Sequence, residues 1–412
     1  MKGWRVYTYA MRPNVIGILL GFCIVTFLWV SGYGIAIIEP LTGTGGFDAQ
    51  IAKVLNCAQK SDSVTCVRPM VLKMLEEKNG AEIIEVLSAR LPPLQCHYVG
   101  HVVGQQLYKQ YPDVEEALAK CDRSCDSACI HGVIGQAFAT ALGYPDAEDE
   151  GFDFKHLSPA DISEIGKQLC DSAGACHGVG HVLFQAYKKF EPAFSMCREI
   201  GGASITTCYN GVTMEYADVL SSRNMRAVRG VEYPDKEQFA SLCLFPRIEE
   251  TRACFRYFPR IMEETLERDG VSQKEAQQRQ QEICESYVSI DHRIACFAGI
   301  GTHRAYTVLT DTAAAVQKCE GFSKPLDQAA CILGIVTVAT GDRQRQLASF
   351  CAAQGIPAMQ AVCYQGLFFT LYSGGARLDV PLLCGTDNVV CEENAKKYKI
   401  DSWQHIQKNF GG

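Results

Sequence analysis

CHGVGHVLFQAY, Cys176 to Tyr187, is the stretch on which the fold reading turns, because variants of it recur down the chain. CHYVGHVVGQQLY begins at Cys96, CIHGVIGQAF at Cys129, CYNGVTMEY at Cys208, CFAGIGTHRAY at Cys296, CILGIVTV at Cys331 and CYQGLFFTLY at Cys363. Each joins a cysteine to a glycine two to four residues on and then to an apolar run with helical spacing. With Cys66, Cys96, Cys129, Cys176, Cys208, Cys254, Cys296, Cys331, Cys363 and Cys391 as markers, the intervals are 30, 33, 47, 32, 46, 42, 35, 32 and 28 residues. A recurrence near 33 with insertions is what stacked helical hairpins produce, each unit burying its apolar face on the next.

Upstream of most markers lies a shorter helical segment that itself ends in cysteine. Ser158-Pro159-Ala160-Asp161 has an N-cap serine, proline at the first helical position and an acid two residues after it, and the segment runs to Cys170. Ser272 with Glu275 forms a capping box leading to Cys284, while Asp311 and Asp342 cap segments ending at Cys319 and Cys351. The second helix of a unit opens near Pro325 or Pro357, six residues before its own cysteine. The two cysteines of a hairpin therefore meet across its turn.

The cysteine count sets the compartment together with the N-terminus. Val15 to Ile38 carries no charged side chain and is long enough to cross ~30 Å of hydrocarbon as a helix. Lys2, Arg5 and Arg12 precede it with no acid, so the positive-inside rule keeps residues 1–14 cytoplasmic and exports the remainder. The expected organisation is a basic tail over 1–14, an uncleaved transmembrane signal-anchor over 15–38, a short linker over 39–47 and an extracytoplasmic cysteine-rich domain over 48–412, either periplasmic or extracellular. Of 21 cysteines, Cys23 falls inside the apolar span and 20 lie beyond it. An even number in an exported segment reads as a disulfide framework.

The hairpin rule pairs Cys57 with Cys66, Cys170 with Cys176, Cys197 with Cys208, Cys243 with Cys254, Cys284 with Cys296, Cys319 with Cys331, Cys351 with Cys363, and Cys384 with Cys391. It joins Cys129 to either Cys121 or Cys125 and sends the other back to Cys96, without choosing. A bridge closing about a dozen residues contributes about 3 kcal/mol in the chain-entropy model. No C-x-x-C occurs, which removes the haem-attachment, thioredoxin and zinc-knuckle motifs. The close set Cys121, Cys125, Cys129 is the one place where a thiophilic ion competes with disulfides as a reading.

Histidine breaks the repeat. Five of nine histidines, His97, His101, His131, His177 and His181, fall in the first three cysteine-glycine units, within five residues of the marker cysteine. His97 with His101 and His177 with His181 are spaced i, i+4, which sets two imidazoles on one helix face at a separation that suits one ion. Both members of the second pair lie away from the stripe of Val179, Val182, Leu183, Ala186, Tyr187 and Phe190. With second helices side by side, His131 stands between the pairs and the set lines a groove. Tyr108, on the side of His97 and His101, and Glu215, in a similar register after Cys208, offer oxygen donors. The plainer reading assigns these residues to helix packing and turn hydrogen bonds. Their absence from later repeats weighs against it, because a purely structural element recurs wherever the hairpin does. His156, His292, His303 and His405 match no such spacing and read as surface or core residues.

A net charge of −7 with interspersed signs argues against a nucleic-acid surface. The chain holds no H-E-x-x-H, no G-x-S-x-G and no phosphate loop, so no established catalytic motif applies. In hairpin length and cysteine stapling it resembles Sel1-like and tetratricopeptide solenoids, without their tryptophan, leucine and alanine signatures. That likeness implies a fold and no function.

The expectation is an all-α, disulfide-stapled α-solenoid behind one transmembrane helix. Its function is weighed first as a binding or scaffold module, with a protein partner on the concave face and the membrane held through the N-terminal helix. The alternative is a copper- or zinc-binding protein, or a metal-dependent enzyme, using the five histidines.

Overall fold

The computed structural model describes residues 47–410 except 59–62, 92, 123, 145–157, 171, 203, 222–229, 309–310, 339–343, 374–378, 386–387 and 398–401. The chain divides into two compact units, Met1–Ala49 and Gln50–Gly412, and the architecture below is that of the second. The apolar span 15–38, the basic tail before it and nearly all of the 39–47 linker lie outside the described residues, as does Asp342. Among the described residues no helix is long and apolar enough to cross a membrane.

Every regular element among the described residues is helical. Eight long helices form the backbone of the unit: α1 Pro93–Gln110, α2 Ser124–Ala141, α3 Ala173–Tyr187, α4 Ile205–Ser221, α5 Ile248–Arg268, α6 Ile290–Val308, α7 Pro325–Val336 and α8 Pro357–Ser373. Each packs along the next in chain order, so the row is built from nearest-neighbour contacts, as stacked repeats require. Further helices run between them. Pro159–Leu169 starts at a full capping box, in which Ser158 Oγ accepts from the Asp161 N–H and the Asp161 carboxylate accepts from the Ser158 N–H. Ser272 accepts from the Glu275 N–H ahead of Gln273–Ser286, and Asp311 from the Ala314 N–H ahead of Thr312–Glu320. Pro325 and Pro357 open α7 and α8, where a missing N–H costs nothing.

Ten disulfides staple this row. Eight join the hairpin cysteines paired above, from Cys57–Cys66 to Cys384–Cys391. The open choice resolves as Cys121–Cys129 within the hairpin and Cys96–Cys125 between α1 and α2. With all three in bridges, the cluster Cys121, Cys125, Cys129 offers no thiolate, and the thiophilic-ion reading is corrected. A framework of this density marks an oxidising compartment.

The helices approach to backbone contact where the repeat places glycine. A Cβ on Gly104 would sit 1.9 Å from the Cys129 carbonyl oxygen, and one on Gly132 would sit 2.0 Å from that of His101. The same reciprocal lock recurs between α3 and α4, where Gly180 faces Cys208 O at 2.1 Å and Gly211 faces His177 O at 2.0 Å. No side chain fits at these points, so a residue larger than glycine forces the pair apart. Around the locks the core runs as a strip shared by successive units, from Ile134 through Phe184, Phe194 and Tyr209 to Ile261, and from Phe239 through Phe255, Phe297 and Phe368 to Ile406. It also holds a buried ion pair: the Arg293 guanidinium donates twice to Asp327, at 2.6 Å each, tying the head of α6 to the first turn of α7.

Candidate metal centre

The centre is assembled by the first three long helices; the glycine lock fixes α1 against α2, and Gly178 of α3 meets the Ile134 side chain of α2. On α1, His97 and His101 follow Cys96 by one and five residues; on α3, His177 and His181 follow Cys176 likewise; α2 brings His131 between them. Ring centroids of His131 stand 5.4 Å from both His97 and His101, 4.6 Å from His177 and 4.7 Å from His181. Within the pairs the separations are 4.7 Å and 5.0 Å. The five imidazoles make two triangles sharing one corner. The donor atoms of His97, His101 and His131 lie within 4.8 Å of one another, and those of His131, His177 and His181 do the same.

The sequence expects a groove here, and the arrangement is more closed than that. His97, His131 and His181 are buried, leaving His101 and His177 partly exposed. The backbone contacts at Gly104 and Gly132 leave no room for a side chain between α1 and α2 there, and the Ile130 and Ile134 side chains pack on Gly174 and Gly178 between α2 and α3. The i, i+4 pairs therefore face another row of side chains and meet solvent at one edge.

Partners outside the imidazole set fix which nitrogen each ring presents. The Cys125 carbonyl, 2.9 Å from His97 Nδ1, can only accept, so Nδ1 carries the proton and the lone pair of His97 sits on Nε2, 3.0 Å from His101 Nε2. On the far side, His181 Nδ1 donates to Glu215 Oε2 at 2.7 Å, and Gln185 Nε2 donates to Oε1 of the same carboxylate at 2.9 Å. The lone pair of His181 is thereby on Nε2, a buried atom with no hydrogen-bond partner among the described residues. Metal-bound histidine has this arrangement, its second nitrogen held by a carboxylate or a carbonyl.

His131 differs from both. Among the described residues neither of its nitrogens has a hydrogen-bond partner, and Nδ1 is fully buried. Burial, reinforced by the neighbouring His177, His181, His97 and His101, pushes its pKa well below the ordinary imidazole value. Burial does the same to His177, aided by His181 and by the Arg256 guanidinium of α5. Both rings are neutral near pH 7, as metal ligation requires.

The remaining candidates fall elsewhere. Tyr108 is partly buried beside the apolar core, its hydroxyl pKa raised by burial and by Asp113, and it is not one of the grouped donors. Glu215 stands behind His181 and not among the imidazoles. His303 on α6 pairs with Glu263 on α5 at 2.8 Å, and His292 stands edge-on to Tyr287. His156 and the side chain of His405 lie outside the described residues. Three participants have no signal in the repeat: the Cys125 carbonyl, Gln185 and Arg256. Of these only Gln185, one turn after His181, was within reach of helical spacing.

Beyond α4 a cavity of about 300 Å³ opens along the same row, lined by Asn210, Glu249, Arg252, Arg256, Phe369 and Trp403 among others. Arg252 stacks on Trp403 at 4.3 Å and lies 3.7 Å from Asp291.

Comparison with known proteins finds no match: no family model, no curated protein and no solved structure is similar to this chain. Its functional reading rests on its own residues.

Proposed function

We propose that this protein binds a transition-metal ion, copper or zinc, through His97, His101, His131, His177 and His181. One observation carries the reading: a buried histidine without a hydrogen bond stands at the meeting point of two imidazole triads, each with its donors within 4.8 Å. Leaving such groups unpaired costs about 1–3 kcal/mol each, a penalty that ligation removes. Neutral nitrogen donors with no thiolate or carboxylate in the set suit copper and zinc and not calcium or magnesium, which take oxygen. Three imidazoles per triad leave a position open on the ion for exchange or for a small ligand. The sequence weighs first toward a scaffold; the convergence of the five rings, with Glu215 and the Cys125 carbonyl behind two of them, moves the weight to the metal.

The wider setting is part of the proposal. The stapled row is an α-solenoid held at a membrane by a helix over 15–38, with residues 1–14 cytoplasmic and the repeats on the periplasmic or extracellular side, where disulfides persist. The cavity at Arg252, Arg256 and Trp403 favours a binding role for the later repeats as a second reading, with a partner on the same helix row.

Elemental analysis of the full-length, untagged chain in mild detergent, before and after exposure to copper or zinc, tests the metal reading. At least one equivalent is expected, and the amount bound falls in His177→Ala/His181→Ala with the helical circular dichroism unchanged. Substoichiometric metal under both conditions would leave the scaffold as the better account.

A further inference from the structure

The metal reading leaves the number of ions open, and the geometry around His131 answers it. We infer that His131 bridges two metal ions through its two ring nitrogens, so that the centre is dinuclear. This rests on the metal-binding function proposed above and extends it.

The two triads do not overlap except at His131. A single ion at one triad leaves the other pair unused, with His97 and His181 rings 6.4 Å apart. The hydrogen bonds divide the same way. His97 and His181 each commit the Nδ1 proton to a protein acceptor and keep the Nε2 lone pair for an ion, the pattern of a terminal ligand. His131 commits neither nitrogen, although it is buried at 4% exposure. A ring meant for one ion has an N–H to place, and burial without an acceptor penalises it. A ring between two ions has none.

The charge arithmetic points in the same direction. Two divalent ions within a neutral imidazole set repel across a poorly solvated space. When the second ion binds, it displaces the remaining N–H proton of His131, which leaves to bulk water, and the ring becomes an imidazolate with one negative charge between the cations. Glu215, hydrogen-bonded to His181, supplies a second negative charge on one side. With metal–nitrogen bonds of about 2.0–2.1 Å on opposite sides of one ring, the ions stand about 6 Å apart. The edge at His101 and His177 gives both triads access to solvent.

Copper(II) is the probe. The metal-free, full-length protein in mild detergent is titrated with copper(II), and bound copper is compared with the electron paramagnetic resonance spin count. The expected result is two equivalents bound, a spin count matching copper at one equivalent, and a count below half the copper at two, because spins sharing an imidazolate couple. His177→Ala, which removes a partly exposed ligand, is expected to bind one equivalent with a full spin count and unchanged circular dichroism. Two equivalents with a full spin count would overturn the bridge, and so would saturation at one equivalent in the unaltered protein; both leave metal binding standing. No copper bound at all would instead remove the function on which the inference rests.

Discussion

Replacing Glu215 by glutamine is the substitution that most directly separates a ligating histidine from a packed one. In the folded chain the Glu215 carboxylate is 5% exposed and accepts two hydrogen bonds, from His181 Nδ1 at 2.7 Å and from Gln185 Nε2 at 2.9 Å. Glutamine keeps the shape and removes the charge. Its amide oxygen serves one of these donors, and its NH2 group then faces the other. If the nitrogen turns toward His181, the ring must carry its proton on Nε2, and the lone pair aimed at the metal is lost. If the oxygen stays, the hydrogen bond survives but a neutral acceptor raises the basicity of Nε2 less than a carboxylate does. Losing such a partner typically weakens metal binding 10–100-fold, which is about 1.4–2.7 kcal/mol at 1.36 kcal/mol per decade. Competition against a chromophoric zinc chelator measures it, with circular dichroism as the control for folding. The decisive comparison is E215Q in a His181→Ala background. If Glu215 acts through His181, the second loss vanishes there, because coupled residues are non-additive. An affinity within twofold of the unaltered protein, or an equal loss in both backgrounds, refutes the assignment.

Three further outcomes follow from the same contacts. Gly132→Ala puts a methyl where the His101 carbonyl oxygen lies 2.0 Å away, so it should cost about 1–3 kcal/mol by overpacking and weaken metal binding by spreading α1 from α2. Gly135→Ala, with nothing within 4 Å of its Cβ, is the matched control and should be neutral or stabilising by up to about 1 kcal/mol; equal effects at the two sites would discredit the lock. Asp327→Ala strands the Arg293 guanidinium in the core and is expected to lower stability to urea by about 3–5 kcal/mol under non-reducing conditions, whereas replacing both partners by apolar residues should recover most of that; a loss under 1 kcal/mol speaks against a buried pair. The metal-free protein should also lose stability on acidification. The folded pKa of His131 is depressed below 6.5, so the unfolded chain takes up the proton first, and stability present above pH 6.5 falls as pH drops toward the folded value, by up to about 1.4 kcal/mol per pH unit. Thermal melts from pH 7.5 to 5 check this. A flat profile, or one that rises on acidification, contradicts the burial of a neutral ring.

The sequence by itself determined what is local. Helical periodicity, capping residues such as Ser158 and Asp311, and cysteines 6–12 residues apart across a turn all act within one hairpin, so the all-helical repeat and eight of its bridges were legible without coordinates. The i, i+4 histidine pairs were legible for the same reason. Only the tertiary structure decided whether Cys121 or Cys125 reaches back to Cys96, since both stand within one turn of the right place. It also decided that His131 sits equidistant from one pair and close to the other, and that Glu215 meets His181 across 34 residues. These contacts depend on how far each helix is rotated and slid against its neighbour. A repeat period carries no such information; it is set between α1 and α2 where Gly104 and Gly132 let one backbone touch the next, between α3 and α4 where Gly180 and Gly211 do, and between α2 and α3 by side chains such as Ile134 packed on Gly178.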